Sequence, residues 1–155
     1  MAINFLPNAI YEPFACMRAT LATAARVGFP VDRLIFEITE TEAVVHPDHL
    51  TRIIAAYQAM GFRTAIDDFG AGQSNLVRLA QFIPDIVKLD MQLIRGVDND
   101  ARRQTLLRHC IALCRDLDIV AVAVGVETHA EYRTVASLDI HLIQGYFLGS
   151  YSVAC

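Results

Sequence analysis

Hydrophobic positions along the chain form two kinds of pattern, which alternate from one end to the other. Short apolar runs predict six strands, at residues 2–6, 34–38, 64–66, 86–89, 119–124 and 142–148. Between them, apolar residues recur every three or four positions and predict helices at residues 13–27, 49–60, 75–82, 101–117 and 130–138. Strands that alternate with helices in this way are typical of parallel βα units.

The predicted strands are apolar at consecutive positions, which indicates a sheet covered by helices. Two architectures have this property, an open doubly wound sheet and a (β/α) barrel. No G-x-G-x-x-G motif follows the first strand, so the dinucleotide-binding version of the open sheet is disfavoured. The chain has 155 residues, 54% of them hydrophobic, and no linker or repeat, so we expect one α/β domain over residues 1–155.

Polar and acidic side chains collect where the predicted strands end. They are Asn4, Glu37, Glu40, Asp67, Asp68, Lys88, Asp90, Glu127 and Gln144. Because the carboxyl ends of parallel strands lie at one edge of a sheet, we expect these groups to converge there. Carboxylate and amide oxygens are the ligands that Mg²⁺ prefers, and a bound cation lets two adjacent aspartates ionise together. The alternative is that each acid caps the N-terminus of a helix.

Six segments at these strand ends form a specific combination of motifs. They read Ile3-Asn4-Phe5-Leu6-Pro7, Phe36-Glu37-Ile38-Thr39-Glu40, Asp67-Asp68-Phe69-Gly70-Ala71-Gly72, Val87-Lys88-Leu89-Asp90, Gly125-Val126-Glu127-Thr128 and Gln144-Gly145-Tyr146. With these motifs in order, residues 2–150 resemble the EAL domain of bacterial cyclic di-GMP phosphodiesterases. The resemblance implies an incomplete TIM-like (β/α) barrel, with about six parallel strands and flanking helices in this chain.

The resemblance also implies roles for individual residues. Lys88 would position water, and the loop at residues 67–72 would connect a metal site to a dimer interface. Two Mg²⁺ or Mn²⁺ ions would be bound by Asn4, Glu37, Asp67, Asp68, Asp90 and Glu127. The substrate-binding surface or loop would include Glu40, Phe69, Gly70, Gly72 and Gln144.

Two departures from the family pattern bear on activity. The family begins with two further βα units, the first carrying Glu-Ala-Leu, and this chain has no such motif, so that a metal-ligating Glu is absent. The family's general base for the attacking water is a Glu at the position of Val124. Because a hydrocarbon accepts no proton, the general-base contribution of about 10²–10⁴-fold is lost. We therefore expect weak binding of Mg²⁺ or Mn²⁺ and a degenerate domain without catalytic activity.

Three functions are compatible with this pattern. The first is a regulatory module that binds cyclic di-GMP or a protein partner. The second is an active or weakly active metal-dependent phosphodiesterase that hydrolyses cyclic di-GMP to linear pGpG, and the third is a folded remnant without a ligand. A formal net charge of −4 without a cluster of Lys and Arg gives no electrostatic footprint for a nucleic acid polymer or an anionic membrane.

The remaining sequence signals concern location and assembly. The longest apolar run, residues 119–126, is too short to span a bilayer, and the start lacks the pattern of a secretory signal, so we expect a cytoplasmic protein. The strands that begin at Ala2 and Leu142 would be the two edges of an incomplete barrel. We expect a homodimer that shields these edges, the alternative being a flat sheet covered by loops.

Cysteine and histidine give no strong signal of their own. Cys110 and Cys114 lie one helical turn apart, and we expect them to face the core, with metal or redox chemistry as the alternative. His46 and His49 are spaced as a ligand pair but flank a predicted helix start, so a zinc site is disfavoured.

Overall fold

The fold is an α/β arrangement in which strands and helices alternate along the chain. The computed structural model describes residues 1–38, 47–71 and 75–149. The strands are β1 (Ala2–Asn4), β2 (Ile35–Ile38), β3 (Arg63–Phe69), β4 (Ile86–Leu89), β5 (Val120–Val124) and β6 (Leu142–Gln144). The helices are α1 (Pro13–Val27), α2 (Pro47–Ala59), α3 (Asn75–Gln81), α4 (Met91–Ile94), α5 (Ala101–Asp116) and α6 (His129–Ser137).

The six strands belong to one sheet and are ordered in it as they are in the chain, from β1 to β6. Pairing is parallel between β1 and β2, between β2 and β3, and between β5 and β6. Consecutive strands that remain neighbours are the arrangement of a (β/α) barrel, whereas a doubly wound sheet reverses its order at a switch point. The α/β prediction of an incomplete TIM-like barrel is therefore confirmed, and the doubly wound alternative is wrong.

The described residues form two compact units. Unit 1 contains residues 1–67 and 75–86, and unit 2 contains residues 68–71 and 87–149. The organisation of residues 1–155 as a single domain stays a prediction. None of the helices in the described ranges is long and apolar enough to cross a membrane.

Unit 1 has an aromatic core beneath α2. The inward face of α2 carries Leu50, Ile53, Ile54 and Tyr57, and each of them is at most 1% exposed. The ring of Tyr57 packs on that of Phe36 with a centroid distance of 4.7 Å. The periodicity of this helix therefore predicts its buried face correctly.

Helix α1 is much less buried than its sequence suggests. It begins with Pro13 at the first helical position and ends at Gly28, whose φ of 67° gives the left-handed conformation of a helix end. Its apolar stripe of Phe14, Met17, Leu21 and Ala24 is buried only at Ala24, and Phe14 is 58% exposed. The apolar stripe of α1 is therefore only partly buried.

In unit 2, the core is built around α5. Leu107 and Cys114 are at most 1% exposed, whereas Cys110 is half-buried and Leu106 is 56% exposed. Burial, together with a smaller contribution from the nearby Cys110, raises the pKa of the Cys114 thiol to about 11. Burial also raises the pKa of Cys110. The expected core position is therefore confirmed for Cys114 and holds only in part for Cys110.

Two local features of unit 2 differ from the sequence prediction. The strand expected at residues 142–148 ends at Gln144, and a short 3-10 helix follows at Tyr146–Leu148. At this point Gly145 lies against the loop that follows β5, and a Cβ on Gly145 would come within 2.1 Å of the Val126 carbonyl oxygen. Helix α4, which directly follows β4, was not predicted because four residues are too few to show a periodicity.

Candidate functional site

Three of the predicted site residues lie on one face of the unit 1 sheet. Asn4 on β1 is opposite Glu37 on β2, and Glu37 is opposite Ala65 on β3. Asp67 follows Ala65 by two positions, so its side chain leaves the strand on the same face. Glu37 is 8% exposed and Asp67 is half-buried. Unit 1 therefore places one amide and two carboxylates at the carboxyl ends of three neighbouring strands.

In unit 2, the end of β3 forms a tight turn. Asp68 has a φ of 57°, a left-handed conformation that is uncommon without glycine. Phe69 is 2% exposed, and its carbonyl accepts the N–H of Asp90 at 3.0 Å. Gly70 has a φ of 98°, and a Cβ at this position would come within 2.5 Å of Cδ1 of Leu93. The turn is thus fixed by an aromatic anchor and by a close approach that requires glycine.

The end of β4 supplies Lys88 and Asp90. Both are buried, with 9% and 7% exposure. Asp90 is the N-cap of α4, since its Oδ1 accepts the backbone N–H of Gln92 at 2.7 Å. The capping alternative considered from the sequence therefore applies at Asp90, and its role as a metal ligand stays a prediction.

Glu127, which follows β5, is held in an ion pair. Its Oε1 contacts the guanidinium of Arg95, which lies just after α4. The side chain of Glu127 is 31% exposed and that of Arg95 is 44% exposed, so the ion pair is partly open to solvent. A carboxylate engaged by a guanidinium is less available as a metal ligand, because the two cations compete for the same oxygens.

Glu131 fixes the loop that carries this ion pair. Its carboxylate accepts the backbone N–H groups of Gly96, Glu127 and Thr128 at 3.0–3.1 Å. The Thr128 hydroxyl in turn accepts the N–H of Glu131 at 3.1 Å, which completes a capping box at the start of α6. Burial by itself would raise the pKa of Glu131, but these hydrogen bonds outweigh it and lower the pKa. Glu131 is therefore a buried anion that ties the loop after α4 to the loop after β5.

A cavity of about 720 Å³ opens at the carboxyl ends of β5 and β6 in unit 2. Its lining contains three residues predicted to belong to the site, Val124, Glu127 and Gln144. Val124 and Gln144 lie opposite each other in the strand register. The other lining residues are Met91, Arg95, Gly125, Ile143, Gly145, Tyr146, Leu148 and Gly149. The cavity is of the size that small-molecule ligands occupy.

The described lining of this cavity carries few ionisable side chains. Glu127 is the one carboxylate among its described lining residues, and Arg95 already engages it. Val124 presents a hydrocarbon, Gln144 an exposed amide and Tyr146 a 72% exposed ring. Such groups are suited to contacts by shape, stacking and hydrogen bonds.

No group of three or more His, Cys, Asp or Glu residues is arranged to hold a metal ion within residues 1–38, 47–71 and 75–149. On this geometry the described donors do not form a metal centre, and the predicted ligand set stays a prediction. His49 makes a hydrogen bond of 2.6 Å between Nε2 and the Ile10 carbonyl. Glu40, His46 and Gly72 lie outside the described residues.

Arg95 and Glu131 are site residues that none of the six sequence motifs marks, whereas Tyr146 belongs to the Gln144-Gly145-Tyr146 motif without a predicted role. For Glu131 a signal exists, because Thr128 precedes it by three positions as in a capping box. Arg95 lies 32 positions before its partner Glu127, and nothing local marks that pairing. Tyr146 falls within the strand predicted at residues 142–148, but the structure places it in the 3-10 helix after Gly145, where it lines the cavity.

Comparisons with known proteins agree on one family. The family model described as "EAL domain" matches residues 1–151. In Escherichia coli K12, "Blue light- and temperature-regulated antirepressor BluF" is 34% identical over 94% of this chain and 36% of its own length. "Probable cyclic di-GMP phosphodiesterase PdeD" of the same organism is 36% identical over 76% of this chain and 22% of its own length. The chain thus spans about a third or less of these curated relatives.

A solved structure is similar over nearly the same range. It is that of a standalone versatile EAL protein from Vibrio cholerae O395 in its c-di-GMP bound form. The two chains share 48% sequence identity and a TM-score of 0.88 over 94% of this chain and 61% of the other. The likeness supports the TIM-like strand order described above.

Proposed function

The chain belongs to the EAL domain family, and from that premise we propose that it is a degenerate, regulatory EAL domain. In this proposal it binds cyclic di-GMP or a protein partner and does not hydrolyse the dinucleotide. The observation that carries the proposal is the unit 2 cavity, where Val124 is a hydrocarbon and the carboxylate of Glu127 is engaged by Arg95.

Hydrolysis would need a general base in the unit 2 cavity. Water attacks the phosphorus of one phosphodiester bond and loses a proton, while a ribose oxygen leaves and takes up a proton. The described lining of the cavity offers no carboxylate other than the paired Glu127 to receive the first proton. General-base catalysis contributes about 10²–10⁴-fold, so a chain without it is expected to turn over slowly at best.

Two relatives, one named as a regulator and one solved with the dinucleotide bound, support a binding function. BluF is named as an antirepressor, and the Vibrio cholerae EAL protein was solved in its c-di-GMP bound form. The unit 2 cavity has the volume for a ligand and polar groups at its mouth. A domain that keeps the cavity and loses the base retains what recognition requires.

An active, metal-dependent phosphodiesterase is the second candidate, and a specific observation favours it. Asn4, Glu37 and Asp67 share one face of unit 1, and they are oxygen donors of the kind that Mg²⁺ and Mn²⁺ prefer. The name of PdeD, a probable cyclic di-GMP phosphodiesterase, points in the same direction. In that case Lys88 would help to position water, and the product would be linear pGpG.

A turnover assay decides between the two candidates. Purified chain is incubated with cyclic di-GMP and Mg²⁺ or Mn²⁺, and pGpG is quantified by chromatography against a blank that contains EDTA. We expect no product above the blank. Metal-dependent formation of pGpG that is abolished by Asp67→Asn would establish the phosphodiesterase instead.

Titration calorimetry then identifies the bound ligand. We expect the titration of cyclic di-GMP to give a heat of binding. Because the proposal places binding in the unit 2 cavity, added Mg²⁺ or Mn²⁺ should not compete with the dinucleotide. Absence of heat at high dinucleotide concentration would leave the protein-partner form of the proposal. We also propose that Mg²⁺ and Mn²⁺ bind weakly, that the chain forms a homodimer and that it acts in the cytoplasm.

A further inference from the structure

Arg95 is the one cationic side chain in the described lining of the unit 2 cavity. It lies directly after α4, and its side chain is partly exposed. A guanidinium carries five N–H donors in a planar fork. Within the described ranges the side chain of Arg95 makes one hydrogen bond, from Nη2 to Glu127. Its Nη1 and Nε donors are therefore left for a second acceptor.

The backbone of Arg95 is held by two charged side chains that lie outside the cavity lining. The carbonyl of Arg95 accepts a hydrogen bond of 2.7 Å from Nη1 of Arg103. The N–H of Gly96, which follows it, donates to the Glu131 carboxylate at 3.0 Å. These two groups belong to the same peptide unit, which is planar. A cation and an anion thus fix the two sides of one peptide group, in hydrogen bonds of the stronger, charge-assisted kind.

Both of these side chains are anchored in turn. Arg103 on α5 also donates from Nη1 to the Gln92 carbonyl, and its Nε lies 3.3 Å from Oδ2 of Asp100. Glu131 on α6 is 4% exposed, and its second oxygen accepts the backbone N–H of Glu127 at 3.0 Å. Glu131 therefore holds the backbone on both sides of the ion pair between Arg95 and Glu127.

A purely structural explanation accounts for only part of this arrangement. The last carbonyls of a helix need partners, and Arg103 supplies them at the end of α4. Any residue at position 95 would serve that purpose, because only its backbone takes part. The structure has an arginine there, with its guanidinium in the cavity wall. A backbone that is already fixed lowers the ordering cost when the side chain binds an anion.

We propose that Arg95 binds a phosphate group of the dinucleotide in the unit 2 cavity, and that Arg103 and Glu131 are positioning residues that hold it there. This inference rests on the function proposed above, since it takes cyclic di-GMP as the ligand. Each phosphodiester of that ligand is an anion, and Arg95 is the one countercharge that the described cavity lining offers. The guanidinium then contacts Glu127 through Nη2 and the phosphate through Nη1 and Nε.

The first test removes the charge of Arg95. Arg95→Met is compared with Arg102→Met, which removes the same charge from an exposed position of α5 outside the cavity lining. Binding of cyclic di-GMP to the full chain is measured by calorimetry in EDTA, with circular dichroism to verify folding. We expect the Kd to rise about tenfold in Arg95→Met, because a hydrogen bond between charged groups is lost. Arg102→Met should change it by less than about twofold.

Two further measurements separate a phosphate contact from a loss of packing. The Kd of wild type should rise more steeply with NaCl concentration than that of Arg95→Met, because salt screens an ionic contact. Arg95→Lys keeps the charge and loses the planar fork, so we expect a rise in Kd of about threefold. This variant also tests the proposal if Arg95→Met fails to fold.

A double-mutant cycle tests the positioning role of Arg103. Arg103→Met is expected to raise the Kd about threefold in the wild-type background and to have no further effect in the Arg95→Met background. A residue that only supports the fold would weaken binding by the same factor in both backgrounds. Glu131→Gln should show the same dependence on Arg95. Arg103→Lys, which keeps a cationic donor for the Arg95 carbonyl, should restore part of the affinity.

The outcomes distinguish this proposal from the proposed function. Cyclic di-GMP binding that Arg95→Met leaves unchanged would overturn the phosphate contact and leave the binding function intact. Equal losses for Arg103→Met in both backgrounds would overturn the positioning role. No heat of binding in wild type would overturn both the contact and the dinucleotide form of the proposed function. Tight binding that requires Arg95, together with metal-dependent formation of pGpG, would support the contact and overturn the inactive domain.

Discussion

Tyr57 in the core of unit 1 offers a sharp test of the energetics of this fold. The side chain is 0% exposed and lies among the rings of Phe5, Phe36 and Phe62, with centroid distances of 4.7–6.1 Å. Its hydroxyl has no hydrogen-bond partner within the described ranges. Burial, together with a smaller contribution from the nearby Cys16, raises the pKa of this hydroxyl to about 12.

The magnitude of the Tyr57→Phe substitution follows from this environment. A buried hydroxyl without a partner costs about 1–3 kcal/mol of desolvation, and phenylalanine retains the ring that packs on its aromatic neighbours. We therefore expect the free energy of unfolding to increase by about 1 kcal/mol, which corresponds to about 2–4 °C in Tm for a chain of this size. A tyrosine whose hydroxyl is well bonded shows the opposite sign, a loss of about 1 kcal/mol.

The assay is urea unfolding followed by circular dichroism, with two control variants. Tyr11→Phe changes the same atom at an 84% exposed ring and is expected to alter stability by less than about 0.5 kcal/mol. Tyr57→Ala removes the ring and is expected to cost about 3–5 kcal/mol. A loss of 1 kcal/mol or more in Tyr57→Phe would refute the reasoning, since it would show that the hydroxyl has a partner.

The pH dependence provides an independent check on the same group. An unfolded tyrosine ionises near its ordinary pKa of 10, whereas folded Tyr57 stays protonated until a pKa of about 12. Between these values the unfolded state binds fewer protons, so stability falls as the pH rises. We expect wild type to lose stability between pH 10 and pH 12 relative to Tyr57→Phe, and equal slopes for the two proteins would contradict the burial of this hydroxyl.

Three further predictions concern unit 2. Glu131→Gln is expected to lower the free energy of unfolding by about 2 kcal/mol near neutral pH. Because hydrogen bonds lower the pKa of Glu131, this difference from wild type should shrink as the pH falls below the ordinary pKa of 4.5, which urea unfolding at several pH values measures. Gly145→Ala is expected to lower the free energy of unfolding by more than about 2 kcal/mol, because the new Cβ would meet the Val126 carbonyl oxygen. Gly28→Ala, with open space around it, should lower it by about 1 kcal/mol from backbone strain alone, and equal losses in the two variants would argue against the close approach at Gly145. Glu127→Gln is expected to tighten cyclic di-GMP binding about fivefold in metal-free calorimetry, since it frees the Arg95 guanidinium for an anionic ligand, and weaker binding would indicate that Glu127 acts through a metal.

Much of the site could be predicted because strand parity is a local property. Asn4, Glu37 and Asp67 end consecutive apolar runs, and the period of two residues fixes the face on which each side chain lies. The inward face of α2 follows in the same way from a period of 3.6 residues. These features depend only on hydrophobic spacing within a few positions, which the sequence displays directly.

Features that depend on contacts between distant positions could not be predicted in this way. The strand assigned to residues 142–148 stops at Gln144, because Gly145 lies against Val126 of the preceding loop. The pairing of Arg95 with Glu127 joins positions 32 apart. The periodicity of α1 places Phe14 and Ala24 on one stripe, yet only Ala24 is buried, so burial along this stripe is not a local property either.

The unit 2 cavity separates the requirements of binding from those of catalysis. Its shape depends on Gly145, and its loop depends on Glu131, which is buried and satisfied by three backbone donors. Its charge is balanced locally, since Arg95 neutralises Glu127. In the function proposed above, Val124 removes only the proton-transfer step, because a hydrocarbon accepts no proton, while the cavity and the Arg95–Glu127 ion pair are present. On that proposal binding and turnover are separate properties, so ligand binding is measured independently of hydrolysis.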